Sequence, residues 1–80
     1  MAKRVTLIIQ KSGAPLANAE VIVGDIVGTT LTTNEDGEVL FGVADDFAAY
    51  AHILIDLGEG QQAIAYQRMI GGESYQIDIP

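Results

Sequence analysis

The sequence predicts an all-β chain, a seven-stranded antiparallel Greek-key sandwich, and three observations carry that prediction. Apolar and polar residues alternate with a period of two through segments rich in valine, isoleucine and threonine, as half-buried strands require. Clusters of glycine, proline, asparagine and aspartate recur between those segments at near-regular spacing, which is the punctuation of hairpins. No segment has the 3.6-residue period of a surface helix.

The elements follow in chain order. Arg4–Gln10 places Val5, Leu7 and Ile9 on one side and Thr6, Ile8 and Gln10 on the other. Lys11–Pro15 (KSGAP) is a glycine and proline turn. In Ala17–Asp25, Ala19, Val21 and Val23 alternate with Glu20 and Ile22. Ile26–Thr33 is β-rich but carries Gly28, which suggests an edge strand or a bulge. After the turn that ends at Gly37, Glu38–Val43 sets Val39, Phe41 and Val43 on one face. Ala44–Phe47 (ADDF) turns the chain. Ala48–Leu57 is alanine-rich enough to be helical, yet Ala51, Ile53, Ile55 and Leu57 alternate with Tyr50, His52, Leu54 and Asp56, and a helix would be apolar around too much of its circumference. Gly58–Gln61 turns into a sixth strand, Gln62–Ile70. Beyond Gly71–Glu73, Ser74–Ile79 alternates Tyr75, Ile77 and Ile79 with Ser74, Gln76 and Asp78.

Composition narrows the function classes. The 80 residues form one domain, 1–80, and a chain of this size buries only about 60–65% of its unfolded surface. Hydrophobic residues nevertheless make up 49% of the chain, so some apolar surface is left for the outside or for a partner. There is no cysteine to staple the fold or bind zinc, which again favours assembly as a source of stability. The formal charge is −7, and the four basic residues, Lys3, Arg4, Lys11 and Arg68, are dispersed. That field repels phosphate backbones and anionic lipid, so neither nucleic acid nor a membrane is expected as a partner. No apolar run reaches the roughly 20 residues of a spanning helix, and residues 1–13 lack the pattern of a secretory signal. The expected location is cytoplasmic or, by default, a virion.

The residues also carry a resemblance. Gly13, Pro15, Leu16, Ala19 and Val21, followed by Thr33, Asp36, Gly37, Val39, Phe41 and Tyr50, resemble the pattern of carboxypeptidase regulatory-like and transthyretin-like small sandwich domains. The likeness covers about the first two thirds of the chain. It implies an Ig-like or transthyretin-like sandwich, and it implies an accessory module, because such domains serve in adhesins, surface proteins, enzymes and phage structural proteins. The purine-pathway hydrolases built on the transthyretin fold resemble one another in a C-terminal tyrosine-arginine-glycine-serine signature and several histidines. This chain ends in SYQIDIP and has one histidine. Adhesin B-type domains of similar shape form an internal lysine to asparagine bond, but here the first strand's interior is Val5, Leu7 and Ile9, and the last strand offers Asp78 and no asparagine.

Thr32–Val39 (TTNEDGEV) gathers the most oxygen-bearing side chains. If Gly37 is set on the obligatory glycine of a calcium loop, Thr32, Asn34 and Asp36 fall on the first three ligand positions, but Val43 falls where a bidentate glutamate is required. A turn fits better. Asn34 or Asp36 bonds its own backbone, and Gly37 supplies a φ that other residues reach only at a cost. No metal or cofactor is expected. Catalytic candidates are equally sparse: His52 lies mid-strand among apolar neighbours, Ser12 and Ser74 have no activating context, and Asp45 and Asp46 are adjacent in a turn.

What remains is the apolar surplus. With Val5, Leu7, Ile9, Val21 and Val23 inside, Ile8 and Ile22 face out, as do Leu40 and one face of Ala48–Leu57. These residues point to a non-enzymatic structural or protein-interaction module that self-associates, in a phage particle or a surface assembly. The alternative is a ligand- or carbohydrate-binding module, for which Tyr50, Tyr66 and Tyr75 are the tyrosines and tryptophan is absent.

Overall fold

The computed structural model describes residues 2–80. All regular structure among the described residues is strand: β1 (Lys3–Lys11), β2 (Ala14–Pro15), β3 (Glu20–Val23), β4 (Leu31–Thr32), β5 (Glu38–Val43), β6 (Ala48–Gly58), β7 (Gln61–Ile70) and β8 (Ser74–Ile79). They make two four-stranded sheets. The first is built on β1, which pairs with β5 and β2 along one edge and β8 along the other; the second runs β4-β3-β6-β7.

The core lies between the sheets and takes the residues the alternation assigns to it. Val5, Leu7 and Ile9 of β1 meet Val39, Phe41 and Val43 of β5 and Ile77 of β8 from one side. Val21 and Val23 of β3, Ala51, Ile53 and Ile55 of β6, and Met69 of β7 meet them from the other. Leu7, Ile9, Ile53, Ile55 and Met69 are among the largest side chains fully removed from water. At roughly 25 cal/mol per Å² of apolar surface, such side chains are the main favourable term in a chain with no disulfide.

Three features depart from the expected layout. There are eight strand elements among the described residues, because Ala14–Pro15, read as turn, folds back on β1 with Gln10 opposite Pro15 and Lys11 opposite Ala14. Only Leu31–Thr32 of the expected strand Ile26–Thr33 is extended. Asp25 at φ 63° turns the chain, the Ile26 and Val27 amides both donate to the Val23 carbonyl, and the Ile26 and Val27 side chains pack against the core. Lastly, β8 runs parallel to β1, with Thr6 opposite Ser74 and Lys11 opposite Ile79, whereas every other ladder among the described residues is antiparallel.

The longest hairpin sets the molecule's length. β6 has 11 residues, which at about 3.3 Å each span most of the 38 Å long axis. Its ladder with β7 closes at Gly58 opposite Gln61, leaving a two-residue loop in which Glu59 (φ 55°) and Gly60 (φ 77°) are both left-handed. That is the type I′ geometry whose twist matches the strands, and asparagine-glycine fills it with least strain. Replacing Glu59 with asparagine is therefore expected to raise stability by about 0.5–1 kcal/mol in urea unfolding, whereas valine there lowers it.

Candidate functional site

Asn34, Asp36 and Gly37 form one turn between β4 and β5, and the division of labour among them is specific. The Asn34 side-chain carbonyl accepts from the amides of Asp36 (2.9 Å) and Glu38 (3.0 Å). The Asn34 main chain brackets the same loop, its amide donating to the Glu38 carbonyl and its carbonyl accepting from the Gly37 amide, both at 3.0 Å. Asn34 Nδ2 reaches Glu38 Oε1 at 3.2 Å. Asn34 is therefore the organising side chain. Its amide oxygen is already committed to two N–H groups, and no group of three or more acidic or histidine side chains converges among the described residues.

Gly37 has a second constraint beyond its φ of +76°. It passes so close to β1 that a Cβ would collide with the Ile9 carbonyl oxygen and would lie 3.1 Å from the Leu16 amide nitrogen. Here the Ile9 amide donates to the Gly37 carbonyl (2.8 Å) and the Leu16 amide to the Ile9 carbonyl (3.0 Å). Beside this junction Thr33 is buried. Its hydroxyl donates to the Leu16 carbonyl at 2.6 Å and accepts from the Ala19 amide at 2.8 Å. The most legible motif of the chain is thus a structural knot of main-chain hydrogen bonds.

The outward apolar residues fall on two different faces. Ile8, half-buried, and Leu40, exposed, lie on the outer face of the first sheet, where their cross-strand neighbours include Glu38, Gln76, Thr6 and Ser74. Ile22 lies on the outer face of the second sheet, opposite Leu54, which is in turn opposite Ile64. The structure therefore does not bring Ile8, Ile22 and Leu40 together. Instead Ile22, Leu54 and Ile64 run as an apolar row across three strands, and the adjacent row pairs His52 with Tyr66.

This second face is the candidate site. Ile64 and Tyr66 are 69% and 60% exposed, and Tyr50 is 60% exposed. The Tyr50 and Tyr66 rings stack with centroids 5.3 Å apart and planes 12° from parallel, and His52 tilts onto Tyr66 at 4.6 Å. Beside the rings lies an open hollow of about 510 Å³, lined by Tyr50, His52 and Tyr66 together with Gly24, Asp25 and Ile26. Acidic and amide groups, Glu20, Asp56 and Gln62, border the row at one end, and Arg68 lies opposite Tyr50 at the other. The two tyrosines and His52 were each visible in the sequence, but their convergence depends on the β6–β7 register. A two-residue hairpin at Glu59–Gly60 by itself pairs His52 with Gln67; the irregularity between Asp56 and Gly58 shifts the register by one residue and brings Tyr66 opposite His52.

No protein-family model matches the chain, and no curated protein matches it. Among the described residues, no helix is long and apolar enough to cross a membrane.

Two predictions come from the turn. Gly37→Ala is expected to cost about 3 kcal/mol or more, against about 1 kcal/mol for Gly13→Ala, which has a similar φ (82°) but open space around it, and almost nothing for Glu35→Ala. Denaturant midpoints of the three variants check the order. Thr33→Val keeps the shape but strips both hydrogen bonds, and about 2–4 kcal/mol of stability is expected to go with them; serine at the same place keeps most of it.

Proposed function

We propose that the chain is a non-enzymatic structural and protein-interaction module that associates with copies of itself. In this reading it is a small sandwich of the carboxypeptidase regulatory-like or transthyretin-like kind, working in a phage particle or a surface assembly. The described residues form eight strand elements in two packed sheets with no helix, which is compatible with a sandwich of that kind.

The observation that carries the proposal is the outer face of the second sheet. On β7 between Ala63 and Tyr66 the larger apolar side chains, Ile64 and Tyr66, point outward and the alanines inward, while Met69 further along supplies the strand's fully buried core residue. A stretch serving only its own core has the opposite arrangement. Together with Ile22 and Leu54, these side chains form a contiguous apolar patch with a polar border, the composition of a surface that another protein covers. In the most legible motif the Asn34 and Thr33 side chains are engaged in holding the backbone, in keeping with a structural role.

A ligand-binding reading has one specific observation in its favour. Tyr50, His52 and Tyr66 form an aromatic surface beside the hollow at Asp25, and a sugar or another flat ring could stack there. Glycan-array binding that disappears in Tyr66→Ala would favour it over self-association.

Sedimentation velocity over a wide concentration range tests the main proposal. The expected result is a species of a defined multiple of 8.5 kDa, strengthened by added salt because the like charges of an acidic chain are screened. A mass of 8.5 kDa at all concentrations overturns it.

A further inference from the structure

We infer that self-association proceeds through the free edge of β7, which pairs antiparallel with β7 of a second copy about a two-fold axis at Ala65. This rests on the self-association reading and places a contact at the edge of that outer face, joining the apolar rows of two copies side by side without covering them. β7 is the outermost strand of its sheet, and at 10 residues it is the longest edge strand among the described residues; β4, at the opposite edge of the same sheet, has two.

The groups offered at that edge follow from the ladder. In an antiparallel pair, alternate residues turn both N–H and C=O toward the partner strand, and the residues between turn both away. Two hydrogen bonds identify which set faces outward on β7. The Ile70 amide donates to Tyr75 Oη (2.7 Å), and the Arg68 carbonyl accepts from the side chain of its own neighbour Gln67 (2.8 Å). Both therefore face away from β6, and by alternation so do the amides and carbonyls of Tyr66, Ile64 and Gln62.

Edge strands are usually protected by proline, lysine, an inward charge or a bulge. From Gln62 to Arg68 none of these is present: the ladder is regular, and its one irregularity lies between Asp56 and Gly58, at the hairpin end. Tyr75 occupies the other end by taking the Ile70 amide. The open stretch is thus bounded on both sides, and its centre is Ala65.

Self-complementarity argues for a second copy over a foreign strand. With the axis at Ala65, every outward residue finds another: Ile64 sits opposite Tyr66 of the second copy, and Gln62 opposite Arg68. Moving the register by two residues one way sets Ile64 against Arg68 and Gln62 against Ile70, whose amide is already taken. Moving it the other way leaves Arg68 opposite the turn at Gly60. Charge agrees as well. Arg68 is the one base on this outer face among the described residues, and Asp56 is the cross-strand neighbour of Gln62, so the pairing brings each Arg68 one strand away from an Asp56 carboxylate in the second copy.

The chain has no cysteine, so a single introduced thiol reports the axis. Purified Ala65→Cys, left to oxidise in air, is expected to give a reducible covalent dimer. Ala63→Cys alone is expected not to, while mixing it with Gln67→Cys gives the crossed dimer. In parallel, Ile64→Lys is expected to weaken the multimer about tenfold or more in sedimentation with its thermal melt retained, because the lysine must be desolvated beside the second strand. Tyr66→Pro, which removes an outward amide and no bond to β6, is expected to act likewise, and Ile64→Lys decides if that variant does not fold. If the wild-type chain is multimeric but the Ala65→Cys variant fails to crosslink and Ile64→Lys leaves the mass unchanged, the edge pairing is wrong and another face associates. If the wild-type chain is monomeric throughout, self-association itself is wrong.

Discussion

The fold depends on how the backbone of Ile9 is used. Its amide donates to Gly37 and its carbonyl accepts from Leu16, so one residue of β1 holds two segments that lie far apart in sequence. β2 and β5 follow one another along the same edge of β1, and Ile9 is where one gives way to the other. The exchange works only if the arriving chain has no side chain at Gly37, because a Cβ would occupy the place of the Ile9 carbonyl. Thr33 then joins the neighbouring loop to the same point through Leu16 and Ala19, using both the donor and the acceptor of one hydroxyl. Buried main-chain groups that face no strand must find partners somewhere, and in this molecule a glycine and a threonine supply that need.

Most of the sandwich was legible because its inner faces obey a period of two. Val5, Leu7, Ile9, Val21, Val23, Val39, Phe41, Val43, Ala51, Ile53, Ile55 and Ile77 are buried where alternation puts them. Alternation does not say which strands pair, and the errors lie there. A two-residue element such as β2 has no period to detect. The β-branched content of Ile26–Thr33 favoured a strand locally, but the turn at Asp25 and the double hydrogen bond to Val23 took precedence. That β8 runs parallel to β1 is a consequence of chain routing, and no local residue records it.

The same limit explains the candidate site. Outward residues can be named strand by strand, yet only the cross-strand register shows which of them share a surface. Ile8 and Leu40 match Ile22 in chemistry but lie on the opposite outer face, among polar neighbours that leave them as scattered aliphatics. Ile22 instead meets Leu54 and Ile64, and Tyr50, His52 and Tyr66 cluster beside them. One signal was available in the sequence: from Ala63 to Tyr66 small and large apolar residues alternate, and in a strand that pattern makes one face thin and the other thick. Its meaning depends on which face is inside, and Met69, fully buried on the thin side, decides it.

An unprotected edge invites open-ended aggregation, and the geometry of this sheet opposes that outcome. Pairing β7 with β7 of a second copy uses the same edge on both molecules, so the contact is isologous and closes on itself. Growth would then have to proceed from the opposite edge, where β4 offers two residues before the chain turns away at Thr33 to bond Leu16 and Ala19. The first sheet's edges are short, six residues each in β5 and β8, and β8 carries Asp78 and is followed by Pro80, which has no amide to donate. At a charge of −7, every additional copy also raises the electrostatic cost of a larger assembly. A long edge centred on small residues, a minimal edge opposite it, and acidic side chains around both therefore favour a closed pair over a fibre.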